Sequence, residues 1–263
     1  IDHFDPLVFD LNPSKEDVRR IIHRRLEVAS ASCGHPASQW PYAVFFDKND
    51  AVMPMSNEKR TWDDLVVERS RERPRDAIQL INALARAAEA SDRDKITDDD
   101  LRQAMPTYST RRVGYLADEY LNECPHIKEL IREVSKFSPS PDLGNFRFSA
   151  DRFKEQLTRA LGSFSVTLFS KAVNPEREED VFGVWSLLFD TGVINARTSD
   201  STQIRGHRFI PPREDPTLVK KERWNDMQKY AWELNPAYRD FAIGIQAEQR
   251  SYMGLPKKEK RKR

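Results

Sequence analysis

The chain has 263 residues, 38% apolar and 32% charged, with a mean hydropathy of −0.72. No apolar run approaches the roughly 20 residues of a membrane span, and the opening "IDHFDPLVFDLNPS" has neither a basic region nor an apolar core of a signal peptide. The formal charge of +1 divides unevenly: Lys257 to Arg263 carry six bases and one acid, and the rest has 37 bases and 41 acids. Such a body is no general polyanion binder, and the tail is either a solvated end or a nucleic-acid contact.

The length suits two domains. The first residue is Ile, so a fragment or processed chain is expected. Two cysteines, Cys33 and Cys124, are too few for a secreted disulfide framework, and a reducing cytoplasm is expected. Each stands in a Cys-x-His pattern, with His35 and His126. That spacing is narrow for zinc, so two structural thiols are expected in preference to a Cys2His2 site.

The first half reads as helices. Ser14 caps a helix with Asp17 three residues on, and Val18, Ile21, Ile22, Leu26 and Ala29 fall on one face. The aromatic "SQWPYAVFFDKND" packs as a short element. Thr61 opens "TWDDLVVERSRER", and Pro74 sits in the first turn of the next helix, whose stripe is Ile78, Ile81, Leu84, Ala85 and Ala88. Thr97 and Asp100 make a capping-box-like start. "YSTRRVGYLADEYLNE" and "HIKELIREVSKF" complete the array.

"SPSPDLGNFRF", residues 138–148, breaks the periodicity and reads as a linker. Ser149 then caps a helix with Phe153, Leu157 and Leu161 inward, and "PEREEDVFGVWSLLFDTG" forms another that ends at Gly192. "VINAR" and "HRFIPP" have β character around the loop "TSDSTQIRG". Helix, helix, then a two-stranded ribbon is the order of a winged helix. "MQKYAWELNPAYRDFAIG" adds an aromatic strand and a short helix after Pro236. The expected fold is mainly α: a helical, lid-type bundle over 1–137, a linker over 138–148, a winged-helix domain with a small β-hairpin over 149–256, and a basic tail over 257–263.

No G-x-x-x-x-G-K-[ST] loop, G-x-S-x-G elbow or H-E-x-x-H run is present. The acids Asp63–Asp64 and Asp98–Asp100 fall at helix starts, where they suit the dipole. Arg71, Arg73 and Arg75 do the opposite, crowding positive charge where a helix N-terminus favours anions. A guanidinium beside free helix amides makes a phosphate site. The plainer reading is exposed arginines partly neutralised by Glu72 and Asp76.

"RERPRDAIQLINAL", followed by "ITDDDLRQA" and "YSTRRVGYLADEY", resembles the helical lid of bacterial P-loop ATPases related to the AAA+ and STAND classes. "LLFDTGVI", "HRFIPP" and "WELNPAYRDFAIG" are similar to their C-terminal winged helix, with Asn235 where those proteins often carry His. The resemblance spans most of residues 1–250. It implies an ATP-binding core upstream in the same polypeptide and possible self-association. It also implies a lid arginine that senses nucleotide phosphates, Arg75 first and Arg73 second. Without Walker motifs this chain would not hydrolyse ATP by itself.

The alternative is a DNA-binding regulator using the wing (Arg197, Arg205, Arg208) and the tail (Lys257, Lys258, Lys260, Arg261). Against it, the helix before the hairpin carries five acids and one base over residues 176–191, and residues 149–256 hold 15 bases and 15 acids. A third reading is a protein-binding adaptor.

Overall fold

The computed structural model describes residues 13–36, 38–53, 58–71, 73–136, 146–202 and 206–252. It is mainly α, a helical domain followed by a region with a β-hairpin. The chain divides into two compact units, residues 1–105 and 106–263.

In the first unit, α1 (Lys15–Ser32) opens on a full capping box. Ser14 Oγ accepts from the Asp17 amide at 3.1 Å, and the Asp17 carboxylate accepts from the Ser14 amide at 2.9 Å. The expected face is half right. Val18, Ile22, Leu26 and Ser30 are buried, whereas Ile21 and Ala29 are exposed. One residue per turn faces the core, so the stripe is narrower than the apolar pattern.

A short antiparallel hairpin, β1 (Asp50–Val52) and β2 (Lys59–Thr61), leads into α2 (Trp62–Arg69), whose N-cap Thr61 Oγ1 accepts from the Asp64 amide at 3.2 Å. α3 (Pro74–Ala90) buries Ala77, Leu80, Leu84, Ala87 and Ala88. Its stripe is thus rotated from the expected one: Ile78 and Ile81 are half-buried and Ala85 is exposed. The aromatic segment supplies core: Tyr42, Phe46 and Trp62 form a chain of ring contacts at 4.9 and 4.7 Å.

α4 (Asp98–Glu119) joins two pieces expected separately, running through Pro106. A proline inside a helix removes one backbone bond and clashes one turn back, so this continuity carries a stability cost.

In the second unit, α5 (Ile127–Ser135) packs on α6 (Ala150–Ser163) and α9 (Arg239–Tyr252). Between them run β3 (Arg147–Phe148), the hairpin β4 (Thr167–Leu168) and β5 (Lys171–Ala172), and α7 (Glu178–Asp190). Then come β6 (Ile194–Ser199), β7 (His207–Ile210), α8 (Trp224–Met227) and β8 (Ala231–Leu234).

The antiparallel sheet has the order β3-β8-β6-β7. Strand β8 enters between β3 and β6, pairing Phe148 with Trp232 and Ile194 with Leu234. Gly192 (φ 67°) ends α7 as expected: its amide and that of Val193 reach back to the Phe189 and Leu188 carbonyls at 2.8 and 2.9 Å.

The expected boundary at 138–148 moves. Residues 137–145 lie outside the described residues, and Arg147–Phe148 is a strand. Val113, Leu116, Ile127, Leu130 and Ile131 enter the same core as Phe153, Trp185 and Trp232. A break in periodicity does not report which core the flanking apolar side chains join.

No helix among the described residues is long and apolar enough to cross a membrane.

Candidate functional site

The start of α3 is built by a tight reversal. The amide of Ser70 reaches the Val66 carbonyl at 3.0 Å, Arg71 is left-handed (φ 55°), and the Arg73 amide reaches the Ser70 carbonyl at 3.1 Å. Arg73 is the N-cap, with extended backbone and no side-chain cap, and Pro74 follows where its missing N–H costs nothing.

The side chains then sort by depth. Asp76 in the first turn is 2% exposed and Arg69 at the end of α2 is 7% exposed. Arg71 and Arg73 are half-buried, and Arg75 is exposed. Arg71, Arg73, Arg75 and Asp76 each take part in interactions with their surroundings. The acid that a helix dipole favours is present, but inside, and Arg75 points its charge outward from the same turn.

A polar knot sits at the start of α2. Tyr42 bonds the Asp63 carboxylate, and His23 Nε2 lies 2.7 Å from Asp63 Oδ1. One turn earlier on α1, Arg19 donates to Asp64 Oδ1 at 2.5 Å. Burial pushes the Tyr42 phenol well above its ordinary range, and the neighbouring Asp63 carboxylate adds to the shift.

Asp63 and Asp64 therefore do more than suit a dipole: they tie α2 to α1. Sequence reasoning missed Tyr42, His23 and Arg19. The available signal was the i, i+4 spacing of Arg19 and His23 on one helix against adjacent acids on another.

The Asp98–Asp100 run is likewise engaged. Asp98 accepts from the Val52 amide at 2.9 Å and from Lys48 Nζ at 2.7 Å. Asp100 accepts from the Thr97 amide at 2.8 Å and from Arg93 at 2.5 Å. Burial pushes the Asp100 carboxyl up, but Arg93 and Thr97 outweigh it and hold the group below the ordinary range.

The hairpin arginines that are described are tied to acids. Arg197 Nη1 donates to Glu233 Oε2 at 3.0 Å, and Arg239 binds the other oxygen of the same, 4% exposed, carboxylate. Arg208 Nη1 donates to both oxygens of Glu214, at 2.9 and 2.8 Å. Arg205 and the tail residues Lys257, Lys258, Lys260 and Arg261 lie outside the described residues.

Helix α7 is a core element: Val181, Val184, Trp185, Leu188 and Phe189 are buried. Its N-terminal Glu178 bonds Lys154 at 2.5 Å and meets Lys221 at 3.2 Å, and both lysines hold its carboxyl below the ordinary range.

Cys33 is exposed and Cys124 buried, where burial pushes its thiol up. Among the described residues no three His, Cys, Asp or Glu side chains gather into a metal site.

Residues 16–117 match the family model described as the FunZ-associated C-terminal helical domain. The matched stretch takes in nearly all of α1, then α2 and α3, and ends two residues before the end of α4. It includes the polar knot and the start of α3. No curated protein and no solved structure matches the chain.

Proposed function

We propose that this chain is the regulatory C-terminal part of a nucleotide-dependent switch protein. Its helical unit would act as a lid whose Arg75, backed by Arg73, reads phosphates of ATP held by a P-loop core upstream in the same polypeptide. The region from Ser149 onward, read as winged-helix-like, would pass the nucleotide state to domain arrangement or self-association.

One observation carries the reading: Arg75 is exposed in the first turn of a helix whose N-cap offers no side-chain cap. A planar guanidinium there suits phosphate oxygens and is always charged. Because the buried Asp76 already answers the dipole, recognition would rest on the guanidinium more than on the amides. The likeness to a domain described as C-terminal and helical supports a place at the end of a longer protein.

Nucleotide, when bound, would supply the γ-phosphate. Arg75 would contact ATP but not ADP, and only such a difference can shift a conformational equilibrium. This chain would contribute recognition and motion, not hydrolysis.

The test is made on the full-length polypeptide, with its upstream frame established by intact mass. Binding of ATP and ADP is compared in the wild type and in Arg75→Ala. We expect the variant to lose about 5- to 150-fold of ATP-over-ADP preference. Absence of a P-loop upstream, or an unchanged preference, overturns the reading.

The DNA-binding alternative is less favoured, because Arg197 and Arg208 are held by Glu233 and Glu214. A steep fall of DNA affinity with salt would revive it.

A further inference from the structure

The hairpin of β4 and β5 turns through two left-handed residues, Phe169 (φ 47°) and Ser170 (φ 64°). Its tip is anchored: the Phe169 amide donates to the Glu123 carbonyl at 2.7 Å, in the turn between α4 and α5. Phe169 is nonetheless 63% exposed, and Leu121, two residues before Glu123 in that turn, is 58% exposed. Two large apolar side chains held in water by one fixed turn mark a surface that something covers. The charge around them is acidic on balance. Residues 118–129 and 167–173 hold four acids, Asp118, Glu119, Glu123 and Glu129, against the bases Lys128 and Lys171.

Helix α9 delivers an occupant. It runs antiparallel to α5: Gln246 Nε2 donates to the Ser135 carbonyl at 3.1 Å, and Glu248 accepts from Arg132 at 2.7 Å. One turn further on, Tyr252 comes level with Lys128 in the first turn of α5. Glu123 lies three residues before His126, the N-cap of α5, and so within about 11 Å of it. Residues 253–263 lie outside the described residues. Their sequence is Met-Gly-Leu-Pro and then six bases with one acid, apolar where it leaves α9 and basic beyond. Fully extended, residues 253–256 reach about 14 Å, enough to bring Lys257 to the turn.

We propose that residues 253–263 dock on this turn of the same chain. Met253 and Leu255 cover Leu121 and Phe169, and Lys257 and Lys258 meet Glu119 and Glu123. Docking keeps the basic tail from outside anions, and release frees it. A polyanion is a poor occupant, because the acids repel it. A second copy of the chain needs about 1,000 Å² of cover, more than two side chains offer.

Amide NMR spectra of the full chain and of a chain ending at Tyr252 are compared. Differences confined to residues 115–129 and 166–173 are expected, and they should shrink in about 1 M salt, where charges are screened beyond about 3 Å. A peptide of residues 253–263 added to the shortened chain should move the same amides with a Kd of about 1 mM. Phe169→Asn should weaken that binding about tenfold. Asn takes left-handed backbone more readily than Phe, so this variant should melt no lower than the wild type, which separates lost docking from a damaged fold. In the full chain the same substitution frees the tail, and heparin should then bind about threefold tighter.

Four results overturn the proposal. One is a truncation that leaves the amides of residues 115–129 unmoved. Another is a peptide that binds Phe169→Asn as it binds the wild type. The third is heparin affinity equal in the two full chains. The last is a spectral difference that grows with protein concentration, as pairing of two copies gives.

Discussion

Glu233 holds two arginines at once, and removing it tests both the sheet and its β6–β7 hairpin. Its carboxylate is 4% exposed on β8, between β3 and β6. Arg197 and Arg239 each take one oxygen, with side chains 19% and 21% exposed. Glu233→Ala leaves two guanidiniums facing each other with little water.

Breaking a fully buried pair costs about 3–5 kcal/mol. The arginines reach solvent by about a fifth, so we expect the low end, about 3 kcal/mol. Arg197→Ala leaves Arg239 on the carboxylate and should cost about 1 kcal/mol. Urea unfolding followed through tryptophan fluorescence reads both, since Trp232 is the neighbouring residue.

The same substitution has a second readout. If Glu233 withholds Arg197 from outside anions, Glu233→Gln should raise heparin affinity at fixed salt. A Glu233→Ala loss below about 1 kcal/mol would refute the reasoning. Arg197 would then be an ordinary surface cation, open to a nucleic-acid backbone.

Ser109 is buried and its Oγ donates to the Ala237 carbonyl at 2.8 Å while accepting the Phe241 amide at 3.0 Å. Ser109→Ala orphans both groups and should cost about 2–4 kcal/mol in denaturant unfolding; a loss under about 1 would mean that water or the backbone replaces it. The Ser14 hydroxyl, its amide and Arg20 lower the Asp17 carboxyl to about 2. A depressed pKa contributes stability above the ordinary carboxylate value, lost as pH falls through the folded one. Helical circular dichroism should therefore fall between about pH 4 and about pH 2 more in the wild type than in Asp17→Asn, and equal curves would contradict the cap. Ser170 (φ 64°) stands left-handed at the tip of the β4–β5 hairpin, so Ser170→Gly should stabilise by about 1 kcal/mol. Gly192→Ala, at φ 67°, should cost about 1–2 kcal/mol, and equal effects of the two would show that backbone conformation is not the cause.

What the sequence made legible was local. Ser14, Thr61 and Ser149 cap their helices because a short side-chain oxygen three residues before an amide has one good use. Gly192 ends α7 for an equally local reason. The buried face of α3 was less legible: Ile78, Ile81 and Ala85 share a stripe, but a neighbouring stripe through Ala77, Leu80 and Leu84 is equally apolar. Periodicity alone does not choose between two faces that both satisfy it. The insertion of β8 between β3 and β6 was illegible, because strand order is decided by pairing across more than 30 residues, where no local pattern speaks. The acid partner of Arg197, 36 residues away, was hidden for the same reason. Charge counting over residues 149–256 gave a neutral total, but not which arginine was held and which was open.

The start of α3 shows how far a local rule reaches before depth must be known. Three arginines beside a helix N-terminus looked like a breach of dipole electrostatics. Once Asp76 is found buried in that first turn and Arg75 exposed, the breach largely disappears. A carboxylate within the first turn is what the dipole favours, and it lies where solvent screens it least. Arginines on the outside of the turn then sit near an acid rather than near bare positive poles. The phosphate-sensing proposal accordingly cannot rest on anomalous charge. It rests on Arg75 being exposed in the first turn of a helix that opens from a fixed reversal, with the Ser70 amide on the Val66 carbonyl and the Arg73 amide on the Ser70 carbonyl. A sensor needs that combination, since a guanidinium on a loose segment would pay in entropy what it gained from the phosphate.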